Sequence, residues 1–226
     1  TGSSNNGQVS VFKNFNLLAT LTSTRTITNV TCNGGNDGFI AVTPTSGTSP
    51  YSYSWSNNQT GSTATGLGAG AYALTFSDAN VCKGTRTDTV TQPSLIVVSA
   101  LPTDVTCYGA STGAIKLTVI GGIEPYSFVW SNGTTTEDLD NIAVGTYTVT
   151  VSDYYGCSKT LTTTISQGPQ LFSSVSYANP SCNGQCNGTA TVSAAGGVSP
   201  YNYSWSGGGT GITKTGLCAG TYTVTV

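Results

Sequence analysis

Apolar residues alternate with polar ones, one for one, along much of this chain. "GFIAVTP" sets Ile40 and Val42 on one face; "GAIKLTVI" sets Ile115, Leu117 and Val119 on one face and Lys116 and Thr118 on the other. "AYALTFS" alternates Tyr72, Leu74 and Phe76, "TYTVTVS" alternates Tyr147, Val149 and Val151, and "TYTVTV" does the same with Tyr222, Val224 and Val226. Successive strand side chains point to opposite faces, so apolar-in, threonine-out segments predict antiparallel strands with one wet face. Gly, Pro, Asn and Asp interrupt these segments about every 8–12 residues, as in a β-sandwich. No segment carries the 3.6-residue period of an amphipathic helix.

The pattern is itself repeated. Cys32, Cys107 and Cys182 are 75 residues apart, and so are Trp55, Trp130 and Trp205, which are all the tryptophans of the chain. Pro50, Pro125 and Pro200 keep the same step, as do Tyr72, Tyr147 and Tyr222, while Cys82 matches Cys157 and Asp78 matches Asp153. Self-similarity at a fixed period marks a repeat architecture. The expected fold is therefore all-β: tandem immunoglobulin-like β-sandwich repeats with a 75-residue period. Expected units are 19–94 (repeat 1), 95–170 (repeat 2) and 171–226 (repeat 3, lacking its last strand). Residues 1–18 form an N-terminal segment that matches the last strand of a preceding or neighbouring unit. The junctions "TQPSLIV" and "SQGPQLF" are short, which predicts a semi-rigid array rather than beads on a loose string.

A unit of this size buries a small core and gains much from a crosslink. Cys32 with Cys82, and Cys107 with Cys157, would each close a loop of about 50 residues, stabilising by roughly 4 kcal/mol in the chain-entropy model. These two pairs are predicted. Cys186 and Cys218 occur in repeat 3 alone and predict a third bridge; Cys182 is left unpaired, as the odd count of seven requires. The competing reading of "CNGQC" as a metal site lacks any histidine and any second cysteine pair at ligand spacing.

"SPYSYSWSNN" holds three aromatics on one strand face and serines on the other, and it recurs as "EPYSFVWSNG" and "SPYNYSWSGG". Trp55, Trp130 and Trp205 are read as core anchors. Tyr51, Tyr126 and Tyr201, at the strand starts, are the candidate glycan contacts. Tyr72, Tyr147 and Tyr222 each follow Gly-Ala or Gly-Thr at a strand start and read as anchors of the tyrosine-corner kind. Asp78 and Asp153 read as Asx-turn residues, with calcium as the alternative. Glu137, Asp138 and Asp140 read as a solvated loop, and "DTV" at Asp88 matches a short O-glycosylation acceptor.

Composition narrows the function. Charged residues are 7% of the chain and the formal net charge is −2, with no basic run, so nucleic acid is not an expected partner. No apolar run reaches the 18 or so residues of a membrane-spanning helix. Histidine is absent, and no nucleophile elbow, phosphate loop or recurring acid pair is present, so no enzyme, cofactor or metal is expected. The chain has no start methionine or signal peptide and reads as a segment of something longer. The cysteine pattern points to an oxidising, extracellular setting.

"TCNGGNDG", "SPYSYSWSN", "GAYALTFSDANVC" and "TVTQP", with their copies "TCYGASTG", "EPYSFVWSNG", "VGTYTVTVSDYYGC" and "TISQGP", and then "SCNGQCNG", "SPYNYSWSGG" and "CAGTYTVTV", form an ordered set. In that order they resemble the SprB-type repeat of Bacteroidota cell-surface and gliding-motility adhesins, from about residue 25 to 226. "SDANVC" departs from the usual turn by placing valine where the family has glycine. The resemblance implies a non-enzymatic extracellular array at the outer surface, type IX secretion, and a role in attachment or gliding. Its partners would be further repeats of the same chain, surface polysaccharide or other cell-surface proteins. The alternatives are a glycan-binding module and head-to-tail self-assembly into a filament.

Overall fold

The computed structural model describes residues 20–226, and every regular element among them is a strand. Among the described residues no helix is long and apolar enough to cross a membrane. The chain divides into two compact units at Leu95/Ile96: the first holds repeat 1, the second, Ile96–Val226, holds repeats 2 and 3. The N-terminal strand expected within residues 1–18 lies outside the described residues.

Repeat 1 contains β1 (Ser23–Thr28), β2 (Gly38–Pro44), β3 (Ser52–Trp55), β4 (Thr63–Leu67), β5 (Gly70–Ser77) and β6 (Lys83–Val90). They make two three-stranded antiparallel sheets, β1-β2-β4 and β3-β5-β6. The alternation in the sequence decides which faces meet. Ile40 and Val42 of β2 with Ala64 and Leu67 of β4 face Trp55, Leu74, Phe76 and Val90 of the other sheet, and all eight are buried. The intervening Thr75, Thr85 and Thr87 are exposed. Repeat 2 uses β7 (Val97–Thr103), β8 (Gly113–Ile120), β9 (Ser127–Trp130), β10 (Leu139–Ile142), β11 (Gly145–Ser152) and β12 (Ser158–Ile165) in the same two sheets. Even the register repeats: Gly70 pairs with Val90, and Gly145 with Ile165.

Repeat 3 has β13 (Phe172–Ala178), β14 (Gly188–Ala195), β15 (Ser204–Trp205), β16 (Thr213–Leu217) and β17 (Val224–Thr225). Its first sheet, β13-β14-β16, is complete; its second is only β15-β17, with no sixth strand among the described residues. The buried set shrinks to Ala190, Val192, Trp205 and Leu217, and β13 is exposed at every position. Tyr222, read from the sequence as a core anchor, is exposed here for that reason.

Two predicted disulfides are corrected. Cys82, Cys107 and Cys182 are free thiols, whereas Cys32 and Cys157 are disulfide-bonded, so neither Cys32–Cys82 nor Cys107–Cys157 forms. The reason is the length of the sixth strand. Cys82 precedes β6, while the Cys32 turn is fastened beyond its far end: Val30 N–H donates to Thr91 O (3.0 Å) and Gly34 N–H to Gln92 Oε1 (2.7 Å). Eight strand residues at 3.3 Å each separate the two ends by about 26 Å, whereas disulfide Cα atoms lie roughly 4.4–6.8 Å apart. Repeat 2 copies the arrangement, with Val105 N–H on Ser166 O (2.9 Å) and Gly109 N–H on Gln167 Oε1 (2.8 Å), and Cys157 just before β12. Cys186 and Cys218 are bonded to each other. They flank Gly188 and Leu217, which are register partners of β14 and β16, so the ladder itself brings the two sulfurs together.

Candidate functional site

The recurring aromatic strand is the strongest candidate site in the sequence, and the fold turns it inward. Trp55, Trp130 and Trp205 are buried. Each indole N–H donates to the carbonyl six residues on: Gly61 at 3.0 Å, Thr136 at 2.9 Å and Gly211 at 2.8 Å. The turn after the strand therefore supplies the polar partner that a buried indole needs. Tyr53 stacks on Phe76 with ring centroids 6.3 Å apart, and burial, with some help from Tyr51, raises its phenol pKa above the ordinary value.

The candidate glycan contacts are half-buried, each preceding its strand and following a cis X–Pro bond. Their hydroxyls are committed within the repeat: Tyr51 to Ser46 O, Tyr126 to Gly121 O and Tyr201 to Gly196 O. The strand-start tyrosines behave alike, donating four residues back from Tyr72 to Gly68 O (3.1 Å), Tyr147 to Ala143 O (3.0 Å) and Tyr222 to Cys218 O (3.4 Å).

Asp78 and Asp153 are buried and serve as backbone acceptors. Asp78 takes the N–H groups of Thr48 (3.0 Å), Asn80 (3.0 Å) and Cys82 (2.9 Å); Asp153 takes those of Ile123 (3.1 Å), Tyr155 (3.0 Å) and Cys157 (2.9 Å). The Thr48 bond is the main reason that the Asp78 carboxyl sits below the ordinary range, against burial, which raises it. Hydrogen bonds to the ionised form act in that direction. Among the described residues no group of three or more Cys, Asp and Glu could hold a metal ion. In the acidic loop, Asp138 accepts the Leu117 N–H (2.9 Å) and pairs with Lys116 (3.2 Å), which also reaches Asp140 (3.2 Å). The Leu117 bond first and Lys116 second hold the Asp138 carboxyl low, and the two carboxylates raise the Lys116 pKa. This loop is half fastened, not simply solvated.

Sequence reasoning missed two features. The first is an ion triad in repeat 1: buried Asp88 on β6 bonds Arg86 (2.6 Å) on its own strand and Arg25 (2.9 Å) on β1. The "DTV" match thus has a buried aspartate, with Thr89 exposed. The signal was present, since repeat 2 has Ala100, Leu161 and Thr163 at the matching positions. The second is a groove of about 630 Å³ on repeat 3, lined by Val175, Tyr177, Asn179, Trp205, Leu217 and Tyr222 among others. No charged side chain lines it.

With this geometry in view, comparison with known families is decisive: the SprB repeat matches at residues 24–60, 99–135 and 174–210, one match beginning near each repeat's first strand. The chain is a tandem array of SprB repeats. Among solved structures, these SprB repeats align with "Sidekick-1 immunoglobulin domains 1-5" at 10% identity, covering 82% of this chain and 47% of that one, with a TM-score of 0.32. They align with the chain titled "Structural basis for Dscam isoform specificity" at 12% identity, covering 88% and 67%, with a TM-score of 0.27. For Drosophila OTK extracellular domains 3–5 the values are 11%, 83% and 78%, with a TM-score of 0.25. The array thus spans less than half of the Sidekick-1 chain. At these scores the likeness says nothing about partners or activity. No curated protein sequence matches the chain.

Proposed function

We propose that these SprB repeats form a non-enzymatic stretch of an extracellular surface adhesin, as its stalk or its adhesive array, in a protein serving surface attachment or gliding motility. One observation carries this reading. In all three repeats the indole N–H and both tyrosine hydroxyls are used by the repeat's own backbone. What recurs is a scaffold, and a stacked scaffold suits reach and display. The Cys186–Cys218 bridge fits an oxidising exterior. Export by type IX secretion and a Bacteroidota origin rest on the family resemblance. Further repeats of the same chain, surface polysaccharide and other surface proteins are the partners this role implies.

Protease shaving of intact cells combined with single-molecule pulling of the chain tests it. Surface-released repeat peptides, and successive force peaks from separately unfolding repeats, are the expected outcome. A glycan array bound by the chain and lost in Tyr126→Phe, which removes only the hydroxyl, would replace this reading with a lectin one.

A further inference from the structure

Repeats 1 and 2 treat one exposed edge differently. The fourth strand of each, β4 or β10, is the edge of its sheet, and an edge strand leaves unpaired N–H and C=O groups pointing outward. Repeat 1 covers them with its own side chain: Gln59 Oε1 accepts from the Thr65 N–H (2.9 Å) and Gln59 Nε2 donates to Thr65 O (2.8 Å). A primary carboxamide suits this task because its carbonyl and one of its N–H groups lie side by side. Repeat 2 keeps the same backbone. Both strands shift register beside a left-handed residue, Gly66 (φ 65°) and Asn141 (φ 56°). Thr134, however, replaces Gln59, and it has no carboxamide to offer. A cleft of about 520 Å³ opens at that place, with Thr134 and Asp140, the counterpart of Thr65, both in its wall. Repeat 3 closes the same loop by other means: Lys214 Nζ donates to Ser206 O (2.8 Å) and to Gly208 O.

The wall of the cleft is rigid and its rim is charged. Trp130 fastens the β9–β10 loop, its backbone N–H donating to Thr134 O (2.9 Å) and its indole N–H to Thr136 O (2.9 Å). Thr134 N–H donates in turn to Asn132 Oδ1 (3.1 Å). A preformed wall lowers the ordering cost of binding. Lys116, Asp138 and Asp140 stand where repeat 1 has Ala41, Thr63 and Thr65, and where repeat 3 has Thr191, Thr213 and Thr215. Charged residues are 7% of the chain, so three meeting at one cleft is not background. The two aspartates share Lys116, and Glu137 beside them is exposed, so the rim holds an excess of negative charge. We propose that this cleft recognises a polypeptide by a glutamine side chain with a lysine or arginine next to it. Such recognition goes beyond the adhesin reading and does not depend on it. The inserted carboxamide makes at the Asp140 backbone the two bonds that Gln59 makes at Thr65, and the neighbouring cation meets the unshared carboxylate charge. The acetamido group of an amino sugar is no substitute, because a trans secondary amide points its N–H and C=O to opposite sides.

Nuclear magnetic resonance of the intact, isotope-labelled chain tests it. The probe is the peptide Gly-Ser-Gln-Lys-Ser-Gly, blocked by acetyl and methylamide groups so that glutamine carries its only primary amide. It shifts the amide signals of Thr134 and Asp140 saturably and leaves that of Thr65 in place. The same peptide with glutamate for glutamine lacks one donor and adds a like charge, and it binds roughly tenfold more weakly. In the Thr134→Gln chain, which supplies the carboxamide internally, the Asp140 amide exchanges as slowly as that of Thr65 and no longer responds to the peptide. Absence of a saturable shift in the parent chain, equal binding of the glutamate peptide, or an undiminished response of the Thr134→Gln chain overturns the proposal. Binding of N-acetylglucosamine at the same amides, with the peptide inert, also overturns it and gives the cleft to glycans.

Discussion

Asp88→Thr in repeat 1 isolates what the ion triad contributes. The Asp88 side chain is 2% exposed, Arg86 15% and Arg25 51%. Removing the carboxylate strands two guanidinium groups unequally. Arg25 is half in water and relaxes there at little cost. Arg86 is not; it keeps only Ser23 Oγ (3.0 Å) and Ser23 O (3.3 Å). Breaking a buried pair by deleting one partner costs about 3–5 kcal/mol, and the remaining Ser23 bonds put the expected loss near the lower end, about 3 kcal/mol. For a small sandwich that is a large share of the total stability. Repeat 2 shows the alternative solution at the same three positions, so the triple variant Arg25→Ala, Arg86→Leu, Asp88→Thr should return to within about 1 kcal/mol of the parent, because an apolar replacement of the whole set removes desolvation cost and attraction together. Urea-dependent hydrogen exchange of β5 and β6 peptides measures both, with repeat 2 peptides as the internal reference. A neutral Asp88→Thr, or a triple variant as unstable as the single one, refutes the reasoning.

Three further outcomes follow from the turn and the sulfurs. Val81 holds a left-handed φ of 65° where repeat 2 has Gly156 at 81°; a β-branched residue is strained there, so Val81→Gly should stabilise repeat 1 by about 1 kcal/mol after the entropy of the new glycine is subtracted, and thermal melts that move down instead would show the strain to be absent. Asp78 has a folded-state pKa below its ordinary value of 3.8, so its contribution is present above that value and lost as pH falls through the lower folded one; Asp78→Asn should flatten the acid limb of repeat 1 unfolding below about pH 4, and an unchanged limb refutes it. Peptide mapping without reduction should recover Cys186 linked to Cys218, and Cys32 and Cys157 in bonded peptides that contain neither Cys82 nor Cys107; a Cys32–Cys82 peptide would overturn the end-to-end placement of the two turns.

The strands were legible because one physical rule governs them. Alternation placed Ile40, Val42, Leu74 and Phe76 on inward faces, and the sandwich buries those residues and leaves the threonines between them wet. The period was legible because each repeat solves the same problem with the same parts, down to an indole bonded to the sixth carbonyl onward. The triad was hidden because pattern alone gives no reason for Arg86 and Asp88 to lie on a buried face; only the loss of all three charges together in repeat 2 signalled that they act as one unit.

The cysteine error is the more instructive one, since the loop-closure argument was sound and the pairing still failed. Entropy depends on how many residues lie between two sulfurs and is indifferent to direction. Direction is set by the intervening strand. Because β6 runs the length of the repeat, a residue just before it and a turn fastened just after it, through Gln92 and Thr91, must sit at opposite ends. The same strand completes the core: the element that keeps Cys82 away from Cys32 is also the one whose valine covers Gly38. In this fold the sixth strand therefore both closes the core and holds apart the two ends of a repeat. A bridge such as Cys186–Cys218, across two register partners in the other sheet, stabilises a repeat without touching either role.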